Sequence, residues 1–388
     1  MSRKTLTASL TGAALVTMAA VALVPGAAQA IPENSHCGTE AGNNNDAFVD
    51  HAQLTKALEQ LERTSGGVVD VEVVGQSNQG RDIYSARVGE GDTVIYVQTQ
   101  IHGNENHGTE ALLNLLHQIG GSSQEARELR ENVTIVGIPR LNVDGGENDT
   151  RQNAMSWDDV VAEFPQLAGV EPAWNYRASV PGFDVNRDFN PDLDYVPQPE
   201  DFPGNSADTG WYITPEAQTS RDVYRELEQE FGTVDYFVDL HNQWSCYKQA
   251  GTDNMSTLSI SGRFIDDPTE FGDWPAFDYD ASRRANVAVY DALQDQGSSA
   301  YGHLTLYPQD TNLPGTALGS FALRGSATVL FETSSQTQYD GSKRNGFLTK
   351  QVELGLKGLI DAVADGSIDS IDPEDYEEIP QRVYLPAD

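Results

Sequence analysis

Thr93-Val-Ile-Tyr-Val-Gln-Thr-Gln-Ile-His102-Gly-Asn-Glu105 is the stretch on which the reading of this 388-residue chain turns. It reads as an apolar strand that ends by presenting an imidazole and a carboxylate three residues apart. Two later runs do something similar. Val234-Asp-Tyr-Phe-Val-Asp-Leu-His241 ends in a histidine, and Ala327-Thr-Val-Leu-Phe-Glu332 ends in a glutamate. Ligands of open α/β sheets bind outside the carboxyl ends of the strands, where all three runs would deliver their side chains. Any one of these residues alone is an ordinary hydrogen-bonded core or surface group. Together they make a catalytic zinc site, because such an ion takes three nitrogen or oxygen ligands and keeps a fourth position for water. His102, Glu105 and His241 are the expected ligands of one Zn2+ per chain. Glu332 is left to handle a proton beside an ion that brings the pKa of water down to about 7.

Phe48, Leu54, Leu58 and Leu61 give residues 46–63 helical spacing. Strands are expected at 68–74, 83–88 and 133–138 beside the 93–100 run, with a helix near 108–119. Residues 148–210 are rich in Pro, Asp, Asn and Gly and read as long loops over the sheet, a usual place for substrate-handling groups. Thr214-Pro215-Glu216 opens a helix to about Phe231, with Thr as cap and Pro at the first helical position. Further helices are expected at 280–295 and 341–364. No repeat or linker divides residues 46–365, so the expected architecture is one α/β domain: a mixed parallel and antiparallel twisted sheet with helices on both faces.

The ends differ from this body. Residues 1–30 read as a secretory signal, with Arg3 and Lys4, an apolar stretch from Ala13 to Val24, and Ala28-Gln-Ala30 for cleavage. The expected destination is extracellular. Residues 31–45 are a short N-terminal segment, too brief to hold a large inhibitory prodomain, so the exported form is expected to be active once folded and loaded with zinc. Residues 366–388 form an acidic tail expected to be solvated and loosely attached. Two cysteines, Cys37 and Cys246, survive signal removal and could form one bridge in an oxidising compartment.

A formal charge of −35, from 24 basic and 59 acidic residues, argues against nucleic acid or an anionic membrane as a partner. Either a saline habitat, where screening relieves self-repulsion, or ordinary acidic secretion accounts for it. The chain is expected to work as a monomer on peptide or protein C-termini.

With these residues in place the chain resembles the zinc carboxypeptidases of the pancreatic carboxypeptidase A type from about Phe48 to Ala364. The resemblance rests on motifs in the family's order: Gly80-Arg-Asp-Ile-Tyr84, His102-Gly-Asn-Glu105, Leu141-Asn-Val-Asp-Gly145, Val185-Asn186-Arg187-Asp-Phe189, His241 and Phe331-Glu332. It implies zinc held by His102, Glu105 and His241, with Glu332 as general base. It also implies that Asn186 and Arg187 grip the substrate's terminal carboxylate, for which a guanidinium fork is suited. An oxyanion arginine is implied as well. Arg177, in Trp174-Asn-Tyr-Arg177, is the first candidate and Arg151 the second.

The chain departs from the family's pattern in places. Asn104 stands where an arginine often lies between the zinc ligands, which implies weaker contact with longer substrates. The family's mobile tyrosine has no clean match, and Tyr307 is the nearest candidate for substrate contact. Gly315-Thr-Ala-Leu-Gly-Ser-Phe321 lacks the acid that would select a C-terminal Lys or Arg, so an apolar or broad preference is expected. His107 is read as capping or lining the next helix rather than as a ligand. Two other functions share these features: zinc hydrolysis of cell-wall stem peptides or N-acyl amino acids, and an inactive peptide-binding protein on a peptidase fold.

Overall fold

Three parallel strands, β3 (Thr93–Thr99), β5 (Tyr236–Gln243) and β9 (Ala327–Ser334), run side by side through the middle of an eight-stranded sheet. This is a computed structural model, and it describes residues 47–385 except 273, 275, 309–311 and 335–340. The expected signal and N-terminal segment, with Cys37, lie outside the described residues.

The sheet order is β1-β2-β4-β3-β5-β9-β7-β8, adding β1 (Val69–Gln76), β2 (Asp82–Val88), β4 (Val133–Ile138), β7 (Leu258–Ser261) and β8 (Leu304–Leu306). β4 is buried along its whole length and β3 nearly so. That suits their near-continuous apolar sequences, since parallel strands are covered on both faces. β1, at the edge, exposes Asp70 and Glu72 instead, charges that discourage pairing with another chain.

One face packs against α1 (His51–Ser65), α2 (His107–Ile119), α7 (Tyr279–Gln294) and α9 (Ser342–Ala364). The other packs against α6 (Pro215–Phe231) and α8 (Ala317–Leu323). α1 begins later than its apolar spacing predicts, because the Asp50 carboxylate accepts from Gln53 N and forms a reciprocal cap there. Its Leu54, Leu58 and Leu61 are buried, each contributing about 1.5–3 kcal/mol. α6 starts as expected, with Thr214 capping Ala217 N.

Residues 148–210 are more ordered than their composition implies. They contain a short helix, Trp157–Glu163, and a small core around Leu167 and Phe183 that Trp211, just beyond them, completes. The tail also departs from expectation. Ile368, Tyr376 and Ile379 are buried among the acids, and the Tyr376 hydroxyl accepts from Gly262 N at 3.2 Å. β10 (Arg382–Tyr384) pairs antiparallel with β6 (Tyr247–Gln249), and Leu306 N donates to Pro380 O at 2.9 Å. High charge hid three well-spaced apolar anchors. Cys246, just before β6, is disulfide-bonded.

Register fixes which side chains share a face of the sheet. His241 is the direct neighbour of Glu332 across β5 and β9, while Leu240 pairs with Phe331. The two-residue period sends Leu240 and Phe331 into the core beneath α2 and α9, and turns Asp239, His241, Gln243 and Glu332 to the opposite side. Both strands continue past the residue at which their apolar runs stop, to Gln243 and Ser334.

Candidate active site

After β3 the chain makes a sharp turn. Gln100 adopts φ 54°, a costly conformation for a non-glycine residue, and its buried side chain explains how it is held. The amide oxygen accepts from Thr109 Oγ1 at 2.7 Å and from Arg140 Nε at 2.9 Å, while Nε2 donates to Gly103 O at 2.5 Å. Gly103 then passes so close to the Leu141–Gly145 motif that a Cβ there would meet the Gly145 carbonyl carbon at 2.0 Å. Asn142 ties the same two segments together, donating to Ile101 O at 3.1 Å and accepting from Gly145 N at 2.9 Å. Asp144 in turn accepts from Ser77 Oγ and Gln79 N at 2.8 and 2.9 Å and pairs with Arg81, so the Gly80–Tyr84 motif braces the same turn.

This framework delivers His102 and Glu105, joined by a Glu105 N to His102 O hydrogen bond, against His241 from β5. His102 Nδ1 lies 3.0 Å from Glu105 Oε1 and 3.1 Å from His241 Nδ1, and His241 Nδ1 lies 3.0 Å from Glu105 Oε2. Ligands about 2.0–2.1 Å from a tetrahedral ion are about 3.3–3.4 Å apart, so a small outward breathing of this buried triangle accommodates zinc. Among the described residues it is the one cluster of His, Cys, Asp and Glu able to hold a metal.

Each imidazole is aimed by a carboxylate on its other nitrogen, the arrangement that orients metal-bound histidines. Asp239 Oδ2 is 2.9 Å from His241 Nε2, and Asp184 Oδ1 is 3.1 Å from His102 Nε2. Burial works to raise the Asp184 pKa, but His102 and Arg151 outweigh it and hold the carboxyl well below the ordinary range. Burial likewise opposes charge on His241, yet Asp239 and Glu105 carry its imidazole well above the ordinary value. Glu105 is held below the usual carboxylate range by His102 and His241 despite its burial. Four carboxylates around two imidazoles, with Asp239 Oδ1 buried and lacking a partner among the described residues, are a setting for a dication. The residues present fit zinc.

Glu332 lines the pocket beside the triangle, and its pKa is raised to about 7, chiefly by burial and further by Glu105, against the pull of His241. Asn186 and Arg187 line the same pocket. Asn186 Oδ1 accepts from Ala317 N at 3.0 Å, which fixes the amide, and Nδ2 lies 3.4 Å from His241 Nε2. Arg187 donates through Nη1 to Asn186 O at 2.6 Å, and its buried Nε has no partner among the described residues. Tyr307, just after β8, also lines the pocket. Phe264, Leu313, Leu318 and Leu330 supply an apolar wall, in keeping with the absence of an acid from the 315–321 segment.

Arg177 is not here. It sits exposed on the hairpin made by the Tyr176–Phe183 bridge, with Nε 3.4 Å from Ser179 Oγ. Arg151, the second candidate, lines the pocket instead. Its Nε and Nη2 donate to Asp184 Oδ2 at 3.1 and 3.0 Å, and Nη1 reaches toward Glu105 Oε1 at 3.4 Å. The turn at Tyr176 carries Arg177 away, while the Asp184 carboxylate draws Arg151 in.

Sequence reasoning missed Asp184, Asp239 and Gln100. The two aspartates carried a signal, one opening Asp184-Val-Asn186-Arg187 and the other two residues before His241. His107 is buried at the first position of α2, its Nδ1 2.6 Å from Asn242 Nδ2, and Asn242 N donates to Glu105 Oε2 at 3.0 Å. Burial lowers its pKa to about 4, so it supports the ligand loop as a neutral ring.

A family model described as zinc carboxypeptidase matches residues 54–301. Among solved structures, the carboxypeptidase A from Helicoverpa armigera is similar at 17% identity with a TM-score of 0.53, covering 83% of this chain and 77% of its own. Bovine thrombin-activatable fibrinolysis inhibitor, solved in complex with tick carboxypeptidase inhibitor, is similar at 12% identity with a TM-score of 0.54, covering 83% and 99%. At such identities the likeness is one of fold.

Proposed function

The chain belongs to the zinc carboxypeptidase family, and on that premise we propose that it is an exported, monomeric enzyme that removes single residues from the C-termini of peptides, with Glu332 as general base. The observation that carries the reading is the triangle of His102, Glu105 and His241 with Glu332 in direct register beside His241.

His102, Glu105 and His241 would hold the zinc, whose chemistry when bound would be to polarise the scissile carbonyl and to bring the pKa of water down to about 7. Arg187 offers a guanidinium fork to the substrate's terminal carboxylate, and the fixed Asn186 amide offers a further donor. The terminal side chain then rests against Phe264, Leu318 and Leu330. Glu332, in register beside His241 and lining the pocket, takes a proton from the attacking water at a carboxylate oxygen and returns it to the nitrogen of the leaving amino acid. Arg151, oriented by Asp184, faces the carbonyl oxygen as it gains charge. His102, His241 and Glu105 stay fixed throughout, because Asp184, Asp239 and Asn242 hold them.

The test is release of C-terminal amino acids from a mixed peptide library by the zinc-loaded protein, beside Glu332→Gln. Release by the wild type, with zinc retained but turnover lost in the variant, supports the reading. No release despite bound zinc sinks it and turns attention to cell-wall stem peptides or N-acyl amino acids.

A further inference from the structure

The pocket contains a cation that the reaction above does not use. Arg382, from the acidic tail, lines it on the side of Gln243 and Tyr247. Its guanidinium is stacked 3.9 Å from the Tyr247 ring centroid and 4.5 Å from that of Tyr307. Nη1 donates to Gln243 Oε1 at 2.5 Å, and the same oxygen accepts from Ser259 Oγ at 3.0 Å. Among the described residues no carboxylate pairs with it, in a protein whose 59 acids outnumber its 24 basic residues. A planar guanidinium held between two rings, with most of its donors unspent, is built to receive an anion.

Its position says which anion. Gln243 lies two residues beyond His241 on the same strand and face, so its side chain is displaced by about 6.6 Å from the zinc ligand. That spacing is about the length of two residues of an extended bound peptide, enough to span the two residues that flank the scissile bond. The terminal residue is already accounted for, with its carboxylate at Asn186 and Arg187 and its side chain at an apolar wall. The residue before the scissile bond is not. Tyr307 bounds the space, and its hydroxyl is kept neutral by burial, with Glu332 adding to the effect.

We propose that Arg382 is a specificity residue that selects peptides with an acidic side chain at the penultimate position. This rests on the carboxypeptidase reading of the same site. The tail is therefore a working wall of the pocket, pinned by its pairing with β6 and by the Leu385 N to Cys246 O hydrogen bond of 2.9 Å.

The experiment compares kcat/KM for matched peptides ending Ala-Leu, Glu-Leu, Lys-Leu and Ala-Glu, using the full zinc-loaded chain. The expected ratio of Glu-Leu over Ala-Leu is about tenfold or more, the range of one exposed-to-buried ionic contact of about 1.5 kcal/mol. In Arg382→Gln that ratio falls to near one, Arg382→Lys restores part of it, and Arg382→Glu favours Lys-Leu. A merely structural role would lower all four peptides together and leave the ratios alone. Equal rates for Glu-Leu and Ala-Leu in the wild type, or an acid preference confined to Ala-Glu, overturn this inference alone. No release from any of the four overturns the carboxypeptidase reading and this one with it.

Discussion

Asp184 bridges His102 and Arg151: one carboxylate oxygen sits 3.1 Å from His102 Nε2, and the other accepts from Arg151 Nε and Nη2. One side chain thus sets the orientation of an expected zinc ligand and of the guanidinium proposed to face the developing oxyanion. Asp184→Asn keeps the volume but loses the charge. Zinc affinity, measured by competition with a chromogenic chelator, is expected to fall about 10–100-fold. Unchanged affinity would mean that His102 is oriented by its own loop.

The two arginine candidates separate cleanly. Arg151→Ala is expected to lower kcat about 10²–10³-fold, as loss of an oxyanion donor does, with a smaller change in KM. Arg177→Ala, on the exposed hairpin, should leave both constants in place. A deep loss in Arg177→Ala would reverse the assignment.

Glu216 gives a pH prediction. It is fully buried on α6, accepts from Asn153 Nδ2 at 2.8 Å, and burial pushes its pKa from 4.5 to about 7. Between those values the folded protein binds more protons than the unfolded chain. Stability therefore falls as pH rises from about 4.5 to about 7, by on the order of 2–3 kcal/mol from this group. In Glu216→Gln, denaturant melts across that window should show a shallower slope. An unaltered slope would assign the effect elsewhere, with Asp188, raised by burial to about 6, next in line.

Salt should stabilise the protein. A charge of −35 repels itself, and screening weakens that repulsion over distances beyond about 10 Å at 0.1 M salt. The melting temperature is expected to rise from low to molar sodium chloride. A flat or falling series would rule out a surface adapted to saline surroundings.

The ligands were legible because metal chemistry restricts residue type and because strand periodicity brings His241 and Glu332 to one edge. The core strands were legible for the same reason, being apolar throughout. Arg151 against Arg177 was not, since both stand in an irregular segment whose turns set which guanidinium points inward, and only the carboxylate of Asp184, distant in sequence from Arg151, decides it. β7 and β8, with four and three residues, are too short to announce themselves, as is α8. The tail misled because Ile368, Tyr376 and Ile379 are diluted by acids, and their docking depends on surfaces that other segments build.

Because the tail closes one side of the pocket, the site is finished by a segment that follows the last long helix. A chain cut short after α9 would carry all three ligands and Glu332 yet lack β10 and its arginine. Metal holding and substrate selection thereby rest on separate segments, and a product clipped after α9 would be betrayed by what it cuts rather than by whether it holds metal.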